Sequence, residues 1–259
     1  MKSITLIAAV LMSTILSAQK NTGSILYKES IKMDMDVQME GMDPAMIEQI
    51  KAMMPDNHSF QNILYFDAKA SLYTNYDSPV KEKEVRHEKH GNDMQVEMRM
   101  EAPTSTLYTN LKSGEVAHHT DLMGRQFLIQ GTPEKKKWKV STDIEIVQNY
   151  PCQKATLQDG EKPVEVWFTT KIPANVGPRE YRDLPGAVLK VSIEDGKHMI
   201  TAEKIDLGKV DKTKIVKPKK GKKVTHEEFE KIAEAKQKEM QEMYGGKGGI
   251  IIQTEERDR

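Results

Sequence analysis

The chain has 259 residues, 30% of them charged and 37% apolar. Lys+Arg and Asp+Glu are both 39, so the formal net charge is zero, which excludes the basic excess of a nucleic-acid binder. The length fits one large domain or two small ones.

In chain order, residues 1–18 come first. Lys2 gives a short positive start, residues 4–16 an apolar run, and Ser17-Ala18-Gln19 a small-residue exit. This pattern predicts a secretory signal peptide cut after Ala18. The run is shorter than the ~20 residues that span a bilayer as a helix, and no transmembrane span is expected in the mature chain. From Gly23 the period is two. Ile25, Tyr27, Ile31, Met33, Met35, Val37 and Met39 share one phase, and polar residues fill the other. A long half-buried strand follows. Glu29 alone breaks its apolar phase.

Asp43-Pro44 then starts a predicted helix, with Asp43 as cap and Pro44 in the first position. Met42, Met46, Ile47, Ile50, Met53 and Met54 form its apolar stripe, and Glu48, Gln49 and Lys51 lie opposite. Alternation returns at 94–101. Further strands are expected at 60–66, 71–76, 104–110, 115–120, 126–130, 137–146, 152–158, 163–170, 187–193 and 198–207. Turn residues separate them, and Asp159-Gly160 and Asp195-Gly196 are hairpin signals. Short links between half-polar strands imply antiparallel pairing. The expected fold is mostly β: one curved, half-barrel-like antiparallel sheet of about ten strands, with an inserted Met-rich helix and a C-terminal helix. The β-rich domain spans 19–210. A lysine-rich linker follows at 211–224, then a helix at 225–245 opened by the capping-box spacing Thr225…Glu228. Residues 246–259 are expected to be a flexible tail, with a short strand at Ile250–Ile252.

Motif chemistry is sparse. The chain has no G-x-S-x-G, no P-loop and no G-x-G-x-x-G, so no catalytic residues are expected. His118 and His119 are neighbours in a predicted strand, so they point to opposite faces and cannot share an ion. His87 and His90 lie in a charged stretch before a turn and are the weak metal candidates. Thioether sulfur suits Cu(I), so a Met and His copper site is the alternative to packing. The methionines at 33–39 and 94–100 follow the apolar phase of their strands, as packing requires. No cofactor is otherwise expected. Cys152, alone in an exported chain, reads as a small buried residue.

Residues 166–191, VWFTTKIPANVGPREYRDLPGAVLKV, hold three prolines between two strands. Pro185-Gly186 suits the centre of a type II turn, which would tuck Leu184 beneath the sheet. This stretch resembles the GLPGLI family of exported proteins of Gram-negative bacteria. The hexapeptide reads Asp183-Leu184-Pro185-Gly186-Ala187-Val188, with Asp183 in place of the first Gly and Ala187 in place of Leu. Other elements that resemble the family are Gly23, Ile25 and Tyr27; Trp138; Tyr150, Cys152, Lys154 and Ala155; and Trp167, Phe168, Ile172, Pro173, Gly177 and Pro178. The resemblance implies a mostly β envelope protein, periplasmic or associated with the outer membrane, and brings no activity. The expected function is non-enzymatic binding of an apolar small molecule or an envelope membrane protein. The helix stripe is the expected contact surface, and Trp138, Cys152, Trp167, Gly177, Pro178, Leu184, Pro185 and Gly186 are structural.

Overall fold

The computed structural model describes residues 21–32, 57–76, 104–157 and 163–244. Twelve strands form one open sheet: β1 (Gly23–Lys32), β2 (Asn57–Phe66), β3 (Ala70–Asn75), β4 (Ser105–Asn110), β5 (Val116–Leu122), β6 (Arg125–Gly131), β7 (Trp138–Val147), β8 (Tyr150–Leu157), β9 (Val164–Thr169), β10 (Ala187–Ile193), β11 (His198–Leu207) and β12 (Lys222–Val224). Their order is β12-β6-β5-β4-β3-β2-β1-β11-β10-β9-β8-β7. All pairs are antiparallel except β12 on β6. The sheet is therefore two meanders, β1–β6 and β7–β11, joined where β1 pairs with β11.

The described residues hold twelve strands rather than about ten. Part of the difference lies in 211–224, which was expected to be wholly linker. Lys222–Val224 pairs with Phe127–Ile129. Val224 is buried beside Phe127 and Ile129, which gives the strand its apolar anchor despite the flanking lysines. The link also holds a 3-10 turn at Lys212–Lys214, capped by Asp211.

The inward face of the sheet is filled. Ile25, Tyr27, Leu64 and Phe66 from the first meander meet Val166, Phe168, Val191 and Ile200 from the second in one cluster. Each such large side chain, fully buried, stabilises the fold by about 1.5–3 kcal/mol. Residues 170–186, between β9 and β10, fold over this face and bury Ile172, Val176, Tyr181 and Leu184 in it. Helix α1 (His226–Tyr244) packs at the β6 end. Its capping box is formed: Glu228 N–H donates to Thr225 Oγ1 at 3.2 Å, and Thr225 N–H to Glu228 Oε2 at 2.8 Å. Phe229 stacks edge-on against Phe127, with centroids 5.3 Å apart, and Ile232 joins them. Met240, further along the helix, is exposed, so α1 docks through its first turns.

Two hairpins turn on residue pairs with positive φ: Met123-Gly124 (51° and 78°) and Gln148-Asn149 (48° and 64°). Both φ signs fit the twist of the flanking strands. The Asp195-Gly196 hairpin is present between β10 and β11. Asp159-Gly160, the Met-rich helix, the strand at 94–101 and the C-terminal tail lie outside the described residues.

Candidate functional site

Glu29 is the focus of the inward face. It shares the buried phase of β1 with Ile25 and Tyr27, and its side chain is 0% exposed. A lone carboxylate there requires full compensation. It has it from four sides. Arg179 reaches Oε1 at 2.5 Å and His198 Nε2 reaches the same oxygen at 2.7 Å. Asn62 Nδ2 donates to Oε2 at 2.8 Å, and the Tyr73 hydroxyl donates to it at 3.2 Å. Burial alone would raise the Glu29 pKa. The His198 hydrogen bond and the charges of Arg179 and His198 outweigh burial and hold it below the usual carboxylate range. Burial and the Glu29 charge push the Tyr73 phenol well above its ordinary value, so it remains a donor.

The bonds continue across the sheet. Asn75 Nδ2 donates to Asn62 Oδ1 at 3.3 Å, and Ser105 N–H to Asn75 Oδ1 at 2.9 Å. Ser105 Oγ meets His118 Nε2 at 2.8 Å. A polar row thus runs from β11 to β5. Its partners were not legible as a set, because they are scattered from residue 29 to 198. The one signal was Glu29 in an apolar phase.

The network fixes the 170–186 segment through Arg179, whose φ is 51°. The residues singled out in that segment have clear roles. A Cβ on Gly177 would stand 1.9 Å from the Tyr181 carbonyl oxygen, and one on Gly186 2.1 Å from that of Thr169. Both positions need glycine because backbone lies against them. The Pro178 carbonyl accepts Tyr181 N–H at 3.1 Å. Leu184 is buried as expected. The turn at Pro185-Gly186 is not type II. Gly186 N–H bonds to the Leu184 carbonyl, which closes a three-residue turn, and Ala187 N–H goes to Ile172 instead. The bond that would close a four-residue turn is used to hold the segment's two arms together. Asp183, where the resembled motif has glycine, has φ 73°, a conformation that Asp tolerates better than most residues.

Trp138 Nε1 donates to the Arg182 carbonyl at 2.7 Å, which ties β7 to the same segment. Trp167 lies between Lys190 and Lys154, whose ammonium groups stand 4.4 and 5.7 Å from its ring centroid. Cys152 is fully buried and its thiol is pushed up to about 11, chiefly by burial, so it is packing rather than a nucleophile. The helix stripe Met42, Met46, Ile47, Ile50, Met53 and Met54, and His87 and His90, lie outside the described residues. Among the described residues no three His, Cys, Asp or Glu side chains are placed to hold a metal, and no helix is long and apolar enough to cross a membrane.

A second feature lies at the sheet edge. β7 is ten residues long and pairs only with β8 among the described strands. Val140, Ile144 and Ile146 are 45%, 70% and 64% exposed. Val140 and Ile144 stand opposite Ala155 and Gln153, whose own partners Val166 and Phe168 are in the core. At the end of β7 it is the other phase, Val147 beside Cys152, that is buried in the core, so Val140, Ile144 and Ile146 are apolar side chains that no described residue covers.

Over the described residues, the fold and these sites define an open, twelve-stranded β sheet whose core is locked by a buried carboxylate. The family model described as "Protein of unknown function (Porph_ging)" matches residues 157–190, the span that includes Trp167, Gly177, Arg179 and the Leu184-Pro185-Gly186 turn. The chain is similar to crystal structures of PNGF-II in space groups C2 and P21, with TM-scores of 0.52 and 0.50 and 16% identity to each. The alignments cover 82% of this chain but 32% and 33% of those chains. It therefore spans about a third of their length, and the likeness is one of fold. No curated protein matches the chain.

Proposed function

We propose that this chain is an exported, non-enzymatic binding protein of the Gram-negative envelope, of the GLPGLI type, and that it docks a protein partner along strand β7. The observation that carries this reading is the run of exposed Val140, Ile144 and Ile146 on an edge strand. Along an edge that no other described strand pairs, backbone groups supply affinity and alternate side chains supply selectivity. Export rests on the residue 1–18 pattern, and the family type on the motifs that coincide with the matched span 157–190. A binding role without catalysis is supported by Glu29, whose two oxygens are already engaged by four donors. The apolar small-molecule version loses support, because the described interior is filled by side chains.

The test is a photo-crosslinking residue at Ile144 in the chain expressed in its own envelope. The control is Met123, 54% exposed but alone in the β5–β6 turn. Docking at β7 gives discrete adducts from position 144 that vanish with Ile146→Lys, and none from 123. Equal labelling at both positions, or none at 144, overturns the reading.

A further inference from the structure

We infer that the occupant of the β7 edge is a second copy of this chain, paired β7 to β7 antiparallel about a two-fold axis through Thr142. The inference rests on the reading of β7 as a docking edge. Its basis is that the strand is complementary to itself. A two-fold axis at Thr142 sets Lys139 opposite Glu145, Val140 opposite Ile144 and Trp138 opposite Ile146, and each pair occurs twice. Opposite charges and β-branched side chains are the pairs that favour cross-strand contact. Moving the axis by one residue toward the C-terminus opposes Asp143 to its own copy. Moving it by one the other way sets Val140 against Thr142 and Ile146 against Lys136.

The irregular part of β7 falls on the axis of this register. Between Val140 and Ile144, β7 has two residues more than the β8 stretch it pairs with, so 141–143 form a bow in the ladder. The bow is pinned: Gln153 Nε2 donates to the Ser141 carbonyl at 2.6 Å, and Asp143 N–H to Ser141 Oγ at 3.1 Å. The axis passes through this bow, and the regular arms on either side carry the charged and apolar pairs. Glu145 is already held by Lys190 at 2.7 Å with its side chain 41% exposed, so it is oriented and accessible. The opposite edge of the sheet differs. β12 has three residues and leads into α1, a short edge of the kind that resists pairing.

The test is sedimentation of the exported chain and of Lys139→Glu and Glu145→Lys variants, alone and mixed, with circular dichroism to confirm folding. In each single variant both charge pairs become repulsive, and the dimer dissociation constant rises about tenfold or more. In an equimolar mixture the heterodimer restores both pairs, so dimer returns. Ile144→Asp, at a 70% exposed position, gives a folded monomer and serves where Glu145→Lys fails to fold. A wild-type dimer unaffected by any of these changes overturns the β7 register. A wild-type chain that stays monomeric to about 100 μM overturns the second-copy inference. The Ile144 crosslinks then separate the two readings: adducts to another protein leave docking at β7 standing, and their absence removes both.

Discussion

Replacing Glu29 with Gln keeps the shape and removes the charge at the centre of the inward face. The amide presents one acceptor and one donor to four donors, so at least one of Arg179, His198, Asn62 and Tyr73 is left facing an N–H. Breaking a buried ion pair from one side costs about 3–5 kcal/mol. Arg179 and His198 are 21% and 16% exposed, so water relieves part of the loss, and the lower end, about 3 kcal/mol, is expected. With a urea slope of about 3 kcal/mol/M for a chain of this size, the unfolding midpoint falls by about 1 M at pH 7. The pH dependence carries a sign. The folded-state pKa of Glu29 is lowered, so its contribution is complete above the ordinary carboxylate range. It is lost as pH falls through the lower folded value. The gap between wild type and Glu29→Gln therefore narrows in acid. A triple change of Glu29, Arg179 and His198 to Leu, Met and Leu recovers part of the stability, because no charge is then left unpaired while Asn62 and Tyr73 still lose their acceptor. A midpoint shift below about 0.2 M for Glu29→Gln at pH 7 would refute the argument that this carboxylate holds the 170–186 segment in place.

Gly177→Ala and Gly186→Ala each drive a Cβ into a carbonyl oxygen and destabilise by about 2 kcal/mol or more in thermal or urea melts. Gly131→Ala, with nothing within 4 Å of its added Cβ, stays within about 0.5 kcal/mol. Cys152, buried with its thiol near 11, resists thiol reagents at pH 8 and reacts only on unfolding; stoichiometric labelling of the native chain would contradict this. Phe229→Ala removes the main contact of α1 with Phe127. It raises amide exchange across 226–244 while β1 and β11 stay protected.

The strand pattern was legible because side-chain phase in this chain follows burial closely. In β1, Ile25, Tyr27 and Glu29 are buried while Lys28 is exposed. The α1 boundary was legible from Thr225 and Glu228 alone, because a capping box is a local signal. The site was only half legible. Glu29 was visible as a break in phase, but Asn62, Tyr73, Arg179 and His198 come from four other parts of the chain. No local rule connects them. β12 was hidden because its lysines read as a linker, although Val224 supplied the anchor. The turn at Pro185 was misread because a two-residue signal cannot show that Ala187 N–H is claimed by Ile172. The exposure of β7 was also hidden, since its apolar alternation looks the same whether or not anything covers it.

The position of β1 also bears on how the molecule forms. It is the first of the described strands, yet it pairs on one side with β11, as Gly23 opposite Leu207 shows. Contacts this distant in sequence slow folding, because a long loop must close before they can stabilise anything. Glu29 has Asn62 and Tyr73 from the first meander but must wait for Arg179 and His198 from the second. Its charge can be buried only when the halves meet, so the carboxylate makes joining of the two meanders a late step. Mutations there are expected to act mainly on unfolding rather than on folding rate.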